Sequence, residues 1–114
     1  MKRVDKTISV TELKAMSGRM YGSLVKADVD IAKKILIVDM DMHADGEATL
    51  LDSGSKQEDV WGINLHPDKY GTDEFIEFDS LINIRPRQQN PSRDVHDKIV
   101  RQAIIKIVTN KIHD

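Results

Sequence analysis

The chain has 114 residues, 39% hydrophobic and 32% charged, with a formal net charge of −2 and no cysteine. That size suits one domain, residues 1–114, with a single core and no staples. The absent thiols exclude a disulfide framework and thiolate zinc sites, the near-balanced charge argues against nucleic-acid binding, and no apolar run approaches the ~20 residues of a membrane span. With only 4% aromatic residues, base stacking would depend on very few rings. Met1-Lys2-Arg3 is basic but leads into no apolar stretch, so it does not read as a secretory signal, and a cytoplasmic location is expected.

Taken in chain order, Ser9-Val10-Thr11-Glu12 reads as a capping box, and Leu13, Met16 and Met20 recur at helical spacing. A first helix is expected over about 10–20, weakened at its end by Gly18 and Gly22. Residues 23–42 read as a hairpin. Val25, Ala27, Val29 and Ile31 alternate with Lys26, Asp28 and Asp30, which predicts one buried and one wet face. Leu36, Val38, Met40 and Met42 form the apolar face of the second strand, after the short connection Ala32-Lys33-Lys34. Asp45 is placed to cap a short helix through Leu50 and Leu51, with Glu47 in its first turn and Gly54 past its end.

A second hairpin follows. Trp61, Ile63 and Leu65 alternate with Gly62, Asn64 and His66; then Ile76, Phe78, Ile82 and Ile84 line one face, with Glu77, Asp79, Asn83 and Arg85 on the other. Ser80 falls on the apolar side and would need a partner if buried. Pro86 ends that strand, and a polar loop leads to a long amphipathic helix from Asp94, striped by Val95, Ile99, Ala103, Ile104, Ile107, Val108 and Ile112. The expected fold is α+β. Four antiparallel strands from two hairpins, with residues 3–8 a candidate fifth, are packed by a short N-terminal, a short middle and a long C-terminal helix.

Four constellations carry chemistry. Asp39, Asp41, His43, Asp45 and Glu47 alternate along a strand and into a helix, an oxygen-rich set suited to a divalent metal such as manganese, magnesium or iron. Helix capping and a solvent-facing strand explain the same residues. Asn64, His66, Glu77, Asn83 and Arg85 would share one sheet face. There Arg85 could clamp an anion and His66 move a proton, with cross-strand ion pairs as the structural alternative. Arg85, Arg87 and Arg93 flank an acid-free loop that could meet an anion at a helix start, but Asp94 opposes this and a solvated loop with Ser92 as helix cap is the favoured reading. Gly54-Ser55-Lys56 lacks P-loop spacing, and no nucleophile-elbow pattern supports a triad from Ser55 or Ser80. Trp61 reads as a core or interface ring.

His43-Ala44-Asp45, Gly54-Ser55-Lys56-Gln57, Trp61-Gly62-Ile63-Asn64-Leu65 with Pro67, and Phe75 through Ser80 with Asn83-Ile84-Arg85-Pro86 together form a distinctive set. In these words the chain resembles, over nearly its whole length, an uncharacterised family of small prokaryotic proteins classed as a domain of unknown function. The resemblance implies a stand-alone cytoplasmic protein without assigned activity. It touches His43, Asp45, Glu47, Ser55, Gln57, Trp61, Asn64, Asn83, Arg85, Asn90 and Arg93. In that family the segment ahead of His43 is often glycine-rich, which leaves His43, Asp45 and Glu47 as the better metal trio.

The leading expectation is a binding module for a small anionic ligand or a protein partner, resting on Arg85 and Asn83 with Asn64, His43 and His66 beside them. A metal-assisted hydrolase using His43, Asp45 and Glu47 is the alternative, and a homo-oligomeric interaction protein a third.

Overall fold

Alternating and continuous runs of branched apolar residues dictate strands, and the computed structural model places them in one sheet. It describes residues 1–20 and 22–114, Met20 through its backbone alone, so the expected helical contact of Met20 lies outside the described residues. The elements run β1 (Lys2–Arg3), β2 (Ile8–Ser9), α1 (Val10–Met20), β3 (Val25–Asp30), β4 (Ile35–Val38), α2 (His43–Asp52), β5 (Val60–Leu65), β6 (Ile76–Glu77), α3 (Lys98–Lys111) and β7 (Ile112–His113). Five strands form an antiparallel sheet in the order β1-β4-β3-β5-β6, and β2 pairs with β7 in a separate parallel ribbon.

The sheet is covered on both faces. Val25, Ala27 and Val29 of β3, Leu36 and Val38 of β4, and Trp61, Ile63 and Leu65 of β5 pack with Leu13, Met16, Ile104, Ile107 and Val108 of α1 and α3. The opposite face carries Ile35, Ile37 and Val60, closed by Met40, Leu50 of α2 and Ile82. The wet face expected for β3 is therefore mostly closed: Asp28 and Asp30 are 0% exposed, and only Lys26 is half-exposed. Residues on that face pair across the strands as Ile37, Asp28 and Gly62, and α2 lies over them. Strand alternation predicts which residues share a face, but not whether a later helix will cover it.

Several boundaries moved for identifiable reasons. The Ser9 hydroxyl accepts from the Glu12 N–H at 3.1 Å, as a capping box requires, while the Glu12 carboxylate pairs with Lys2 at 2.7 Å and does not reach back. At the β3–β4 turn, Asp30 Oδ1 accepts from the N–H groups of Ala32 and Lys33, both at 2.9 Å, and Lys34 takes φ 58°. Asp39 turns to φ 70° and ends β4, so Met42 is exposed and does not extend an apolar strand face. Helix α2 starts at His43 with Met42 as N-cap. Asp45, expected at the cap itself, sits three positions in and accepts from the Met42 N–H at 3.2 Å.

The strand expected through Arg85 stops at Glu77, because Ser80 opens a 3₁₀ turn at Leu81–Asn83 and its hydroxyl accepts from the Ile82 N–H. Buried Ser80 thus has the partner its burial demands. The long helix begins at Lys98 under an Asp97 cap, not from Asp94 under Ser92. Its buried stripe is Ile104, Ile107 and Val108, and Ile99, counted in the stripe by spacing, is 76% exposed.

Candidate functional site

The residues expected to bind an anion are held in local bonding. Asn83 is fully buried; its Oδ1 accepts from the Gly62 N–H at 2.8 Å, and its Nδ2 donates to the carbonyls of Gly62 at 2.9 Å and Arg93 at 3.0 Å. This side-chain amide serves β5 as the next strand's peptide would. Asn90 repeats the device within its loop: Nδ2 donates to the carbonyls of Asn83 and Asp94, both at 2.7 Å, and Oδ1 accepts from the His96 N–H.

Arg85 closes the end of the sheet. Its guanidinium donates to the carbonyls of Gln57, Val60 and Ile82 and lies 4.1 Å from the centroid of the Trp61 ring. Burial lowers its pKa, opposed by the Glu47 and Asp59 charges. Arg85→Ala is expected to lower stability by about 1–2 kcal/mol through lost carbonyl bonds and ring contact. Since Trp61 is the single tryptophan, a red-shifted emission with an earlier urea midpoint checks this directly.

Asn64 and His66 do converge, with Glu77 between them: Glu77 Oε1 accepts from Asn64 Nδ2 at 2.9 Å and meets His66 Nε2 at 3.2 Å. The Asn64 hydrogen bond is the main reason the Glu77 pKa falls. His43 lies above β5, where Nε2 meets the Ile63 carbonyl at 2.8 Å, so Nε2 carries the proton in the neutral ring. Burial is the largest cause of its lowered pKa. Along β5, Asn64 and the Val60 carbonyl held by Arg85 are four residues, ~13 Å, apart. The five residues therefore do not surround one point.

The residues of the metal expectation are not gathered at one point. Among the described residues no group of three His, Asp or Glu side chains is arranged to hold an ion. Asp39 Oδ2 meets Arg19 at 3.0 Å, Asp45 is exposed on α2, and Glu47 turns to the half-buried side. The reason is the turn at Asp39, which breaks the alternation on which the shared face depended.

The concave surface lies elsewhere. The 70–78 segment and α3 enclose a cleft of ≈ 430 Å³, with Phe75, Ile76, Phe78, Ile105 and Val108 among its walls. Tyr70 stands edge-on to Phe75 at 5.1 Å between centroids, and Arg101 lies 4.0 Å above the Phe78 ring. Arg101 Nη1 donates to Asp94 Oδ1 at 2.8 Å and to the Val95 carbonyl at 3.1 Å, which leaves Nε and Nη2 for other acceptors. A shallower hollow continues past Phe78 to Asp79 and Arg93, which pair at 2.5 Å. Sequence reasoning missed this site. Its one signal was that Ile105 lies off the helix's apolar stripe, and Arg101 looked like any charge on a wet helix face.

An antiparallel sheet closed between helical layers, with a cleft at its edge strand, defines a small α+β protein. The chain belongs to the family described as protein of unknown function (DUF5674), whose model matches residues 2–111. This bears out the resemblance to an uncharacterised family. The comparison with curated proteins found no match, and neither did that with solved structures. No described helix is long and apolar enough to cross a membrane.

Proposed function

We propose that the protein is a binding module for a small organic anion with an apolar body, held in the cleft between the 70–78 segment and α3. The carrying observation is the juxtaposition of the Arg101 guanidinium with an aromatic and aliphatic lining of ligand size. The carboxylate of such a ligand would meet Nε and Nη2 of Arg101, whose plane is already oriented by Phe78, Asp94 and Val95. The apolar body would lie against Phe75, Ile76 and Ile105. Anion binding was the sequence expectation as well, but the geometry favours Arg101 over Arg85 as the clamp.

The test is ligand-observed NMR and thermal shift with a panel of aryl and medium-chain carboxylates beside their neutral amides. Saturable binding that prefers the acid is expected, with amide shifts at Phe78 and Ile105. Arg101→Gln should weaken the carboxylate by about tenfold and leave the amide unchanged. No saturable binder, or shifts centred on Arg85 and His43, would overturn the proposal.

A further inference from the structure

We propose that Asp28 and Glu47 form a proton-operated latch beneath α2: a proton on the Asp28 carboxyl keeps the helix seated on the sheet, and its loss favours lifting the helix away. The geometry carries this. Asp28 is wholly buried at the centre of the sheet, and neither of its oxygens has a hydrogen-bond partner among the described residues. Glu47 Oε2, on the helix above, is also buried without a partner. The two elements approach closely enough that a methyl group at Gly46 would collide with Asp28 Oδ2 and come within 2.8 Å of Met40 Cε. An ionised carboxylate in that contact has no donor to solvate it while the helix stays down, whereas lifting the helix admits water.

The charged neighbours act in the same sense. From α2, Glu47 and Asp45 face Asp28; β4 and β5 place uncharged Ile37 and Gly62 beside it. Along β3, Lys26 has an interaction of its own, and Asp30 is bonded to Ser55 at 2.5 Å and to turn amides. Arg85 at the sheet end lies close enough to interact with Glu47, but it is not among the groups that act on Asp28. Burial first, then the Glu47 and Asp45 charges, pushes the Asp28 carboxyl up to about 8. The Glu47 N–H pulls the other way, yet it meets neither oxygen in hydrogen-bond geometry.

The sign follows from the raised value. Between the ordinary carboxylate range and about 8, the seated state holds one more proton than the lifted state. The lifting equilibrium therefore rises about tenfold per pH unit across that window and levels off above it. His43, whose pKa burial lowers, favours release on the acid side and there works against the Asp28 trend, so the clean interval is about pH 6.5 to 8.

Hydrogen–deuterium exchange over that interval, corrected for intrinsic base catalysis, tests the latch. In the wild-type protein the α2 amides should lose more than tenfold protection, while α3 amides that exchange by local opening stay flat. In Asp28→Asn, a neutral mimic of the protonated acid, α2 should stay flat as well. A flat wild-type profile, or the same loss in Asp28→Asn, overturns the proposal. If that variant does not fold, the carboxyl carbon of Asp28 is titrated by NMR in the wild-type protein. A midpoint near 8 upholds the latch, and one in the ordinary range for aspartate overturns it.

Discussion

Replacing Asn83 with aspartate is expected to destabilise the fold by about 3–5 kcal/mol, although the two side chains are nearly isosteric. The substitution leaves packing intact and changes only the hydrogen-bonding inventory. The asparagine Nδ2 donates to the carbonyls of Gly62 and Arg93 at a site with no solvent. A carboxylate presents acceptors to those two acceptors, keeping only the bond from the Gly62 N–H. One buried charge and two unsatisfied carbonyls result, and each is costly alone. The new carboxyl recovers one donor when protonated, so the deficit should shrink as pH falls through the range where it takes up its proton. Urea unfolding monitored by circular dichroism, at neutral and acid pH, measures both parts. A loss below about 1 kcal/mol would show that the amide clasp does not hold the 80–85 segment to β5.

Gly62→Ala is expected to cost about 1–3 kcal/mol, or more if the segment at Ser80 cannot shift. An alanine is ordinarily neutral or favourable within a strand when compared with glycine. Here a Cβ at 62 would stand 2.6 Å from Ser80 Oγ, 2.7 Å from Ser80 Cβ and 3.1 Å from His43 Cδ2. The hydroxyl could rotate, but Ser80 Cβ moves only with its backbone, which is tied to the Arg93 carbonyl at 3.1 Å and caps the 3₁₀ turn carrying Asn83. The methyl group thus pushes on the same clasp that Asn83 closes. The double variant Gly62→Ala with Asn83→Asp should accordingly be less damaging than the sum of the single changes, because both release one segment. Melting curves of the two single variants and the double variant decide this, and full additivity would place the two effects in separate parts of the fold.

Both positions belong to sequence words that suggest a binding site, and in the structure they hold the 80–85 segment to β5. Amides, an imidazole and a guanidinium on alternate strand positions are the groups a ligand pocket needs. They are also what a chain needs when it leaves a sheet early and must still satisfy the strand it abandoned. Asn83, Asn90 and Arg85 replace a missing strand beside β5 and around its end. Nothing in the residue types separates the two uses. The cleft was illegible for a complementary reason: its walls come from the 70–78 segment and from α3, about 30 positions apart, and its polar group is one arginine on a helix surface.

Local chemistry was enough to determine the α+β class, the two hairpins, the span of α1, the existence of α2 and the C-terminal helix, because apolar period and helix caps act within a few residues. Tertiary structure alone decided that α2 covers the acidic face of β3, that Asp28 is buried without a partner, and that β6 gives way to a side-chain clasp. Those outcomes depend on which surfaces meet after the elements have formed. A strand's pattern records its own two faces and carries no signal of what will later be laid upon them.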